Sequence, residues 1–266
     1  MAQASREMKS SSYELAQMLI AVADRLPNDE ASRAAYFQAA GSIDSDYELR
    51  RVYSTMLKRG PVSSSILAGI LANSRSIDSD YELSELLRQI LSQQSLDERN
   101  RAAFFTAMGT INGSYERHRV LSAVIGGQRA SDPALLESAL TAAATIHSNY
   151  DTSQFLQEVL RNNGVEGGVR APFFAALNTI DGNYERGRVL QAVVRKNGTS
   201  PDTLRAVLQS SRAMDGYELS QLLQAIAANH TLTGDLRDAY LAAADRLGDY
   251  EQGQAMAALV KNERRK

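Results

Sequence analysis

A tyrosine followed by an acidic residue recurs along the whole of this 266-residue chain, and this recurrence constrains the fold more than any other feature. The intervals between successive tyrosines of the series are 34, 34, 34, 35, 34, 33 and 33 residues, and eight of the 11 tyrosines belong to it. A period of about 20 to 50 residues is typical of repeat proteins, whose units bury their apolar faces only against neighbouring units. The pairs are Tyr13-Glu14, Tyr47-Glu48, Tyr81-Glu82, Tyr115-Glu116, Tyr150-Asp151, Tyr184-Glu185, Tyr217-Glu218 and Tyr250-Glu251.

Each period has room for two helices. The tyrosine opens one helix, called helix B, in which apolar residues follow it at five, six, nine and ten positions and so form one helical stripe. A second helix, A, precedes each tyrosine and ends in an apolar residue. These residues are Ile43, Ile77, Ile111, Ile146, Ile180, Met214 and Leu247. The sequence therefore predicts an all-α protein: a single α-solenoid domain over residues 1–266, TPR-like or HEAT-like, with about eight 34-residue repeats and roughly 15 helices.

The turn from helix A to helix B is short and rich in residues that cap helices. Ser45 stands three residues before Glu48, and Ser79 stands three residues before Glu82. This spacing matches the capping box, in which two exposed backbone amides are satisfied reciprocally. We therefore expect these turns to be structural.

A longer period, of two repeats, is superimposed on the first. Every second A helix carries an arginine followed by aromatic residues, whereas the A helices between them carry aliphatic residues at the same place. The aromatic sets are Arg33 with Tyr36-Phe37, Arg101 with Phe104-Phe105, Arg170 with Phe173-Phe174, and Arg237 with Tyr240. This alternation predicts bulky and slim A helices in turn, and indicates duplication of a two-repeat unit.

Nothing in the sequence points to a metal, a cofactor or a catalytic centre. The Asp44-x-Asp46 turn suggests calcium only superficially, because Leu49 and Thr55 occupy the positions at which an EF-hand needs Gly and Glu. The three histidines are isolated, and none begins an H-E-x-x-H motif. Cysteine is absent, which excludes disulfides and thiol catalysis. We therefore expect no enzyme activity, no cofactor and no metal site.

Charge argues weakly against nucleic-acid binding, and hydropathy argues against a membrane-spanning segment. The net charge is −2, whereas nucleic-acid binders usually carry a basic excess. No apolar run approaches the roughly 18 residues that a membrane-spanning helix needs, so we expect no membrane insertion by this chain. Residues 1–10 are too few for a full A helix before the first tyrosine. Either they form a short cap or the array is cut from a longer protein, and we favour the second alternative.

The helix-start motif resembles that of a known class of repeats. Residues 43–52 read IDSDYELRRV and residues 111–120 read INGSYERHRV. They are similar to the "SDYE"-type helical repeats that follow the peptidase domain of BlaR1-like (M56) bacterial metallopeptidases and occur in related uncharacterised bacterial proteins. The resemblance implies a bacterial source and an extracytoplasmic sensor or scaffold region; without it, a cytoplasmic location is the expectation. It carries over no catalytic residue, because the peptidase motif is absent.

The role of the repeated tyrosine has two interpretations. At about 100° per residue, the core stripe of helix B centres near 200° from the tyrosine, which therefore lies off the main stripe. In the first interpretation the ring wedges between adjacent repeats, buried, with its hydroxyl bonded to a backbone group. In the second, a row of tyrosines including Tyr47, Tyr115 and Tyr184 lines an open binding surface. We favour the wedge.

The fourth residue after the tyrosine also has two interpretations. It is arginine in alternate repeats, at Arg51, Arg119 and Arg188. Each arginine is spaced to form an ion pair with the acid that follows the tyrosine, worth only a few tenths of a kcal/mol. Alternatively, the three guanidinium groups form a row that grips carboxylates or other anions.

Together these features predict a non-enzymatic interaction module. Solenoids present long surfaces that suit a peptide or protein partner, and the candidate contacts are the three arginines and the three tyrosines just named. The alternative is a nucleic-acid-binding solenoid of the HEAT-like kind, which would need a clustered basic face. The arginines that support this alternative are Arg117, Arg119, Arg186, Arg188 and Arg195.

Overall fold

A computed structural model describes residues 12–27, 29–126 and 132–264. Within these residues the chain forms fifteen α-helices and no β-strand, which confirms the predicted all-α repeat fold. The helices fall into two compact units, Met1–Gly127 and Gln128–Lys266. The N-terminal residues, for which the sequence suggests a short cap or excision, lie outside the described residues.

The first unit contains seven helices in its described part. Its B helices (α1, α3, α5 and α7) each pack on the next B helix, and its A helices (α2, α4 and α6) do the same, so the unit has two helical layers. This arrangement is that of an α-solenoid. The helices are α1 (Ser12–Val22), α2 (Glu30–Ala40), α3 (Asp46–Lys58), α4 (Ser64–Ser74), α5 (Asp80–Gln93), α6 (Glu98–Met108) and α7 (Ser114–Gly126), with a 3₁₀ turn at Ala23–Arg25.

The second unit repeats the two-layer plan. The A helices are α8, α10, α12 and α14, the B helices are α9, α11, α13 and α15, and each layer is formed by successive contacts. The helices are α8 (Pro133–Ala143), α9 (Asn149–Asn162), α10 (Arg170–Leu177), α11 (Asn183–Arg195), α12 (Pro201–Ser210), α13 (Gly216–Asn229), α14 (Asp235–Ala244) and α15 (Asp249–Glu263), with 3₁₀ turns at Gly167–Val169 and Ser211–Ala213.

The predicted stripe of helix B forms the core between the layers. Val189, Leu190, Val193 and Val194 of α11 are all buried. The apolar residue assigned to the end of each A helix is also buried, but it stands in the turn, after the helix has ended; α6, for example, ends at Met108 and not at Ile111. The reason is that the last turn of helix A tightens, with Ile111 N–H donating to the Met108 carbonyl at 3.1 Å.

The alternation of bulky and slim A helices also appears in the packing. The first aromatic residue of each bulky A helix is fully buried; these residues are Tyr36, Phe104, Phe173 and Tyr240. The second aromatic residue contacts the next A helix: a Cβ added to Gly69 of α4 would overlap the ring of Phe37 from α2. A small residue on the slim helix thus makes room for the ring of its bulky neighbour.

The polar residues around the tyrosine hold each repeat to the next. Ser79 caps α5 by accepting a hydrogen bond from Glu82 N–H at 3.4 Å. The reciprocal half of the predicted capping box is wrong, because the Ser79 N–H donates instead to the Asp46 carboxylate of the preceding repeat, at 2.7 Å. Glu82 is drawn away by an ion pair with Arg50, also of the preceding repeat.

The same bond recurs one repeat further along. The Asp80 carboxylate accepts from the backbone N–H groups of Asn112 at 3.0 Å and Gly113 at 2.7 Å. In the second unit, Asn149 Oδ1 accepts from Asp181 N–H at 3.1 Å. The polar residue just before the tyrosine therefore ties its own helix to the turn of the next repeat.

We expect Asp80→Ala to lower the free energy of unfolding by about 1–2 kcal/mol, because two backbone amides lose a charged acceptor at a helix start. Asp78→Ala is the matched control in the same turn. Its exposed side chain has no hydrogen bond in the described structure, so its cost should stay within about 0.5 kcal/mol. Urea unfolding of both variants measures the difference, and equal costs would contradict this role of Asp80.

Candidate functional site: rows of exposed tyrosines

The eight repeated tyrosines are the most exposed large hydrophobic side chains of the described structure. Their exposed fractions run from 53% to 74%, and Val260 is the one other large apolar residue that is classed as exposed among the described residues. The hypothesis that they wedge between repeats is therefore wrong. Tyr47, Tyr115 and Tyr184 instead lie on open surface, as the second interpretation requires.

The wedge role belongs to tyrosines outside the series. Tyr36, Tyr53 and Tyr240 are fully buried. The Tyr36 hydroxyl donates to the Leu19 carbonyl at 3.3 Å, and the Tyr240 hydroxyl donates to the Ala255 carbonyl at 2.7 Å. Burial raises the pKa of Tyr240 well above its usual range. The buried tyrosines already stood out in the sequence, because Tyr36 and Tyr240 occupy the aromatic position of the bulky A helices.

Helix geometry explains why the repeated tyrosine faces outward. It lies about 160° from the centre of the core stripe, and residues three, four and seven positions later share its side of helix B. In the second unit the third residue is always small; these residues are Ser153, Gly187, Ser220 and Gly253. A Cβ on Gly187 would lie 3.2 Å from the methyl carbon of Met214, which shows how closely the next repeat approaches.

In the first unit, arginines cover the tyrosine rings. The Arg51 guanidinium lies 5.6 Å from the centroid of Tyr13 and pairs with Glu48 at 2.8 Å. Arg50 lies 5.5 Å from the centroid of Tyr47. The predicted ion pair between Arg51 and Glu48 is thus confirmed, and it coexists with stacking on an aromatic face.

Arg119 joins two repeats of the first unit. Its guanidinium lies 5.9 Å from the centroids of both Tyr81 and Tyr115. It also pairs with Glu116 at 2.8 Å and with Glu85 of the preceding repeat at 2.7 Å. Although partial burial opposes the charge, the two carboxylates raise the pKa of Arg119. Arg51 and Arg119 are therefore already neutralised, which disfavours the hypothesis of an anion-gripping row.

The second unit presents a different surface. Arg188 lies 5.8 Å from the centroid of Tyr184, but it forms no ion pair with Glu185 or any other residue that the structure describes. The other three tyrosines, Tyr150, Tyr217 and Tyr250, have no arginine over their rings within the described residues. At four and seven positions after the four tyrosines of this unit, most residues are glutamines: Gln154, Gln157, Gln191, Gln221, Gln224 and Gln254.

These glutamines are half-buried, and only some of their side-chain amide groups form hydrogen bonds within the described structure. Gln154 Nε2 donates to the Tyr150 hydroxyl at 2.9 Å, and Gln224 Nε2 donates across to Gln254 Oε1 at 3.1 Å. Gln221 has no intramolecular hydrogen bond in the part of the chain described. The four tyrosines and these glutamines are called here the tyrosine–glutamine face.

Two of the arginines that support a nucleic-acid-binding alternative are used inside the fold. Arg186 is buried and donates to the carbonyls of Ile180 at 2.9 Å and Ser210 at 3.2 Å. Arg117 donates to the carbonyl of Gly109 at 3.0 Å. Both guanidinium groups therefore cap the ends of A helices, and they are not part of an open basic surface.

A surface depression of about 690 Å³ lies on the A layer of the second unit. Its Arg205 is paired with Asp202 and Asp235, and its Arg246 donates to the Ser211 carbonyl at 3.4 Å. Across residues 12–27, 29–126 and 132–264, no three His, Asp or Glu side chains are grouped as a metal site would need. Nor does any helix in these ranges have the length and apolar character to cross a membrane.

Comparison with known proteins gives no family. No protein-family profile matches the chain, and no curated protein matches it. Among solved structures, the chain is similar to one from "Computational Design of Self-Assembling Cyclic Protein Homooligomers", at 12% identity over 100% of this chain and 98% of that one. The TM-score is 0.18, so this likeness carries no argument about fold or function.

Exposed and buried tyrosines should differ sharply in their effect on stability. We expect Tyr240→Ala to cost about 3–5 kcal/mol, the range for truncating a buried aromatic residue, and Tyr240→Phe to cost about 1 kcal/mol. Tyr217→Ala in the neighbouring B helix should cost less than about 0.5 kcal/mol. Denaturant titration with circular dichroism measures all three. A large loss for Tyr217→Ala would show that the repeated tyrosine has a packing role after all.

Proposed function

We propose that this protein is a non-enzymatic interaction module that binds a polypeptide partner along its rows of tyrosines. The observation that carries the proposal is that the repeated tyrosine is exposed in all eight repeats, while its neighbours in the same motif serve the fold. The serine before it caps the helix, and the residue directly before it bonds to the next repeat. The tyrosine ring makes no comparable contribution to the fold.

The chemistry of tyrosine supports a binding role. A tyrosine offers a large apolar face and a polar hydroxyl, and it has few rotatable bonds to immobilise. For this reason tyrosine and arginine are the residue types that most often carry binding energy at protein interfaces. Regular rows of such rings suit a partner that lies across several repeats, and they do not suit a small molecule held in one cavity.

The candidate contacts follow from the geometry. Tyr47 and Tyr115 in the first unit and Tyr184 in the second remain proposed contact residues. Arg188 joins them because its charge is not paired within the described structure. Arg51 and Arg119 contribute by orienting the rings on which they stack, since their own charges are neutralised by glutamates.

Phage display of unbiased peptides on the intact protein tests this proposal. We expect the selected peptides to bind the variant Tyr184→Ala/Tyr217→Ala or the variant Tyr47→Ala/Tyr115→Ala at least about tenfold more weakly than the wild type. Gln209→Ala, at an exposed neutral position on the A layer, is the control and should leave affinity unchanged. If the selected peptides bind every tyrosine variant as tightly as the wild type, the tyrosine rows are excluded as the binding surface.

A further inference from the structure

The two units present the repeated tyrosines in different chemical states. In the first unit an arginine lies over each of the four rings. In the second unit only Tyr184 is covered in this way among the described residues. The faces of Tyr150, Tyr217 and Tyr250 are therefore open to a ligand, which makes the tyrosine–glutamine face the better site for stacking.

We infer that the tyrosine–glutamine face binds a proline-rich, basic segment in the polyproline II conformation, with one helical turn of the ligand for each repeat. This inference rests on the proposed function and adds the class of ligand. It follows from three properties of the face: its period, its amide groups and its charge.

The distance between successive B helices matches the length of one turn of a polyproline II helix. Packed helices lie about 8–10 Å apart, and successive B helices of this unit pack directly on one another. The Gln224–Gln254 hydrogen bond of 3.1 Å, between α13 and α15, shows that surface side chains of adjacent repeats meet. A polyproline II helix rises about 3.1 Å per residue with three residues per turn, so it repeats every ~9.3 Å.

Other extended conformations fit the same spacing poorly. Side chains of a β-strand return to one face every second residue, at about 6.6–6.8 Å or twice that distance. Neither value matches the spacing of the helices. Met214 closely approaches Gly187, which shows that α11 and α13 lie near each other. This short distance favours the ~9.3 Å repeat of polyproline II over the ~13 Å repeat of a β-strand.

The amide groups supply partners for a ligand backbone. Polyproline II makes no internal hydrogen bonds, so its carbonyl groups need donors from the site. Gln221 is free to donate, being half-buried and without an intramolecular partner in the described structure. Gln254 accepts from Gln224 through its oxygen, and within residues 132–264 its Nε2 has no hydrogen-bond partner. A tyrosine ring beside an amide donor is the chemistry that grips proline-rich segments in aromatic-lined grooves.

The charge of the face selects a basic ligand. An acid follows each tyrosine, at Asp151, Glu185, Glu218 and Glu251, and none of the four forms an ion pair within the described residues. Arg188 is the one cation at the fourth position after these tyrosines. Arg161, Arg195 and Lys261 share this side of their helices at the eleventh position, but they lie about 15 Å further along the helix axis than the four acids. A ligand with a lysine or arginine in each turn would therefore meet one carboxylate in each repeat.

The experiment uses the full chain and synthetic peptides of about twelve residues, which is the length needed to cross four repeats at three residues each. The first peptide repeats Pro-Pro-Lys. A second repeats Gly-Ser-Lys and has the same charge without the polyproline II preference. A third repeats Pro-Pro-Pro-Lys and keeps the conformation but moves the lysines out of step. Isothermal titration calorimetry measures each affinity.

We expect the Pro-Pro-Lys peptide to bind at least about tenfold more tightly than either of the other peptides. Tyr217→Ala/Tyr250→Ala should weaken it at least about tenfold. The matched variant of the first unit, Tyr47→Ala/Tyr81→Ala, should change its affinity less than about twofold. Glu218→Gln/Glu251→Gln should weaken Pro-Pro-Lys and leave a neutral Pro-Pro-Gln peptide unaffected, because only the first has charges to pair.

Two outcomes would overturn the inference. One is equal affinity for the Pro-Pro-Lys and Gly-Ser-Lys peptides, and the other is binding that is unchanged by Tyr217→Ala/Tyr250→Ala. The proposed function has a separate outcome: tyrosine-dependent peptides selected by phage display that lack a three-residue proline period would support it while they contradict this inference. Absence of any tyrosine-dependent peptide would contradict both.

Discussion

A pair of short helices cannot bury its own apolar stripes, and every level of this structure depends on the neighbouring pair that covers them. The stripe of each B helix faces the A layer, and the aromatic residue of each bulky A helix fills the space between repeats. Because burial comes from neighbours, the register between repeats must be fixed. The hydrogen bond from a turn amide to the residue before the preceding tyrosine, as at Asp46 and Asp80, fixes it.

The need to fix the register between repeats explains much of the composition of the helix-start motif. In the first unit its serine and its acidic residues form helix caps and bonds between repeats, as Ser79 and Glu82 show. The tyrosine stands on the opposite side of the helix from the core, where packing places no demand on it. This exposed position, which packing leaves unused at every repeat, is the basis of the proposed contact with a partner.

The same lattice supports two kinds of surface. In the first unit, arginines that stack on the rings are themselves held by glutamates, which makes a closed network of charge and aromatic faces around Arg119. In the second unit glutamines replace most of these charges, and the rings of Tyr150, Tyr217 and Tyr250 stay open. Small residues beside the tyrosines there allow the B helices to approach closely, and in the proposed complex this spacing sets the period of the ligand.

The 34-residue period, the two helices of each repeat and the core stripe were all readable from the sequence, because helical periodicity and cap chemistry are local. The outward direction of the repeated tyrosine was also implied by its position around helix B. The expectation that aromatic rings are buried nevertheless led us to assign the wedge role to the repeated tyrosines, which was wrong. Only the tertiary structure decided that Tyr36 and Tyr240 fill that role, since the space between repeats is created by packing. The tertiary structure also decided which arginines form contacts within the fold. Arg186 is buried against backbone carbonyls and Arg119 pairs with carboxylates of two repeats, whereas Arg188 forms no ion pair within the described residues. Those assignments depend on which side chains lie within a few ångströms of one another across about 34 residues of chain, and no local pattern specifies such contacts.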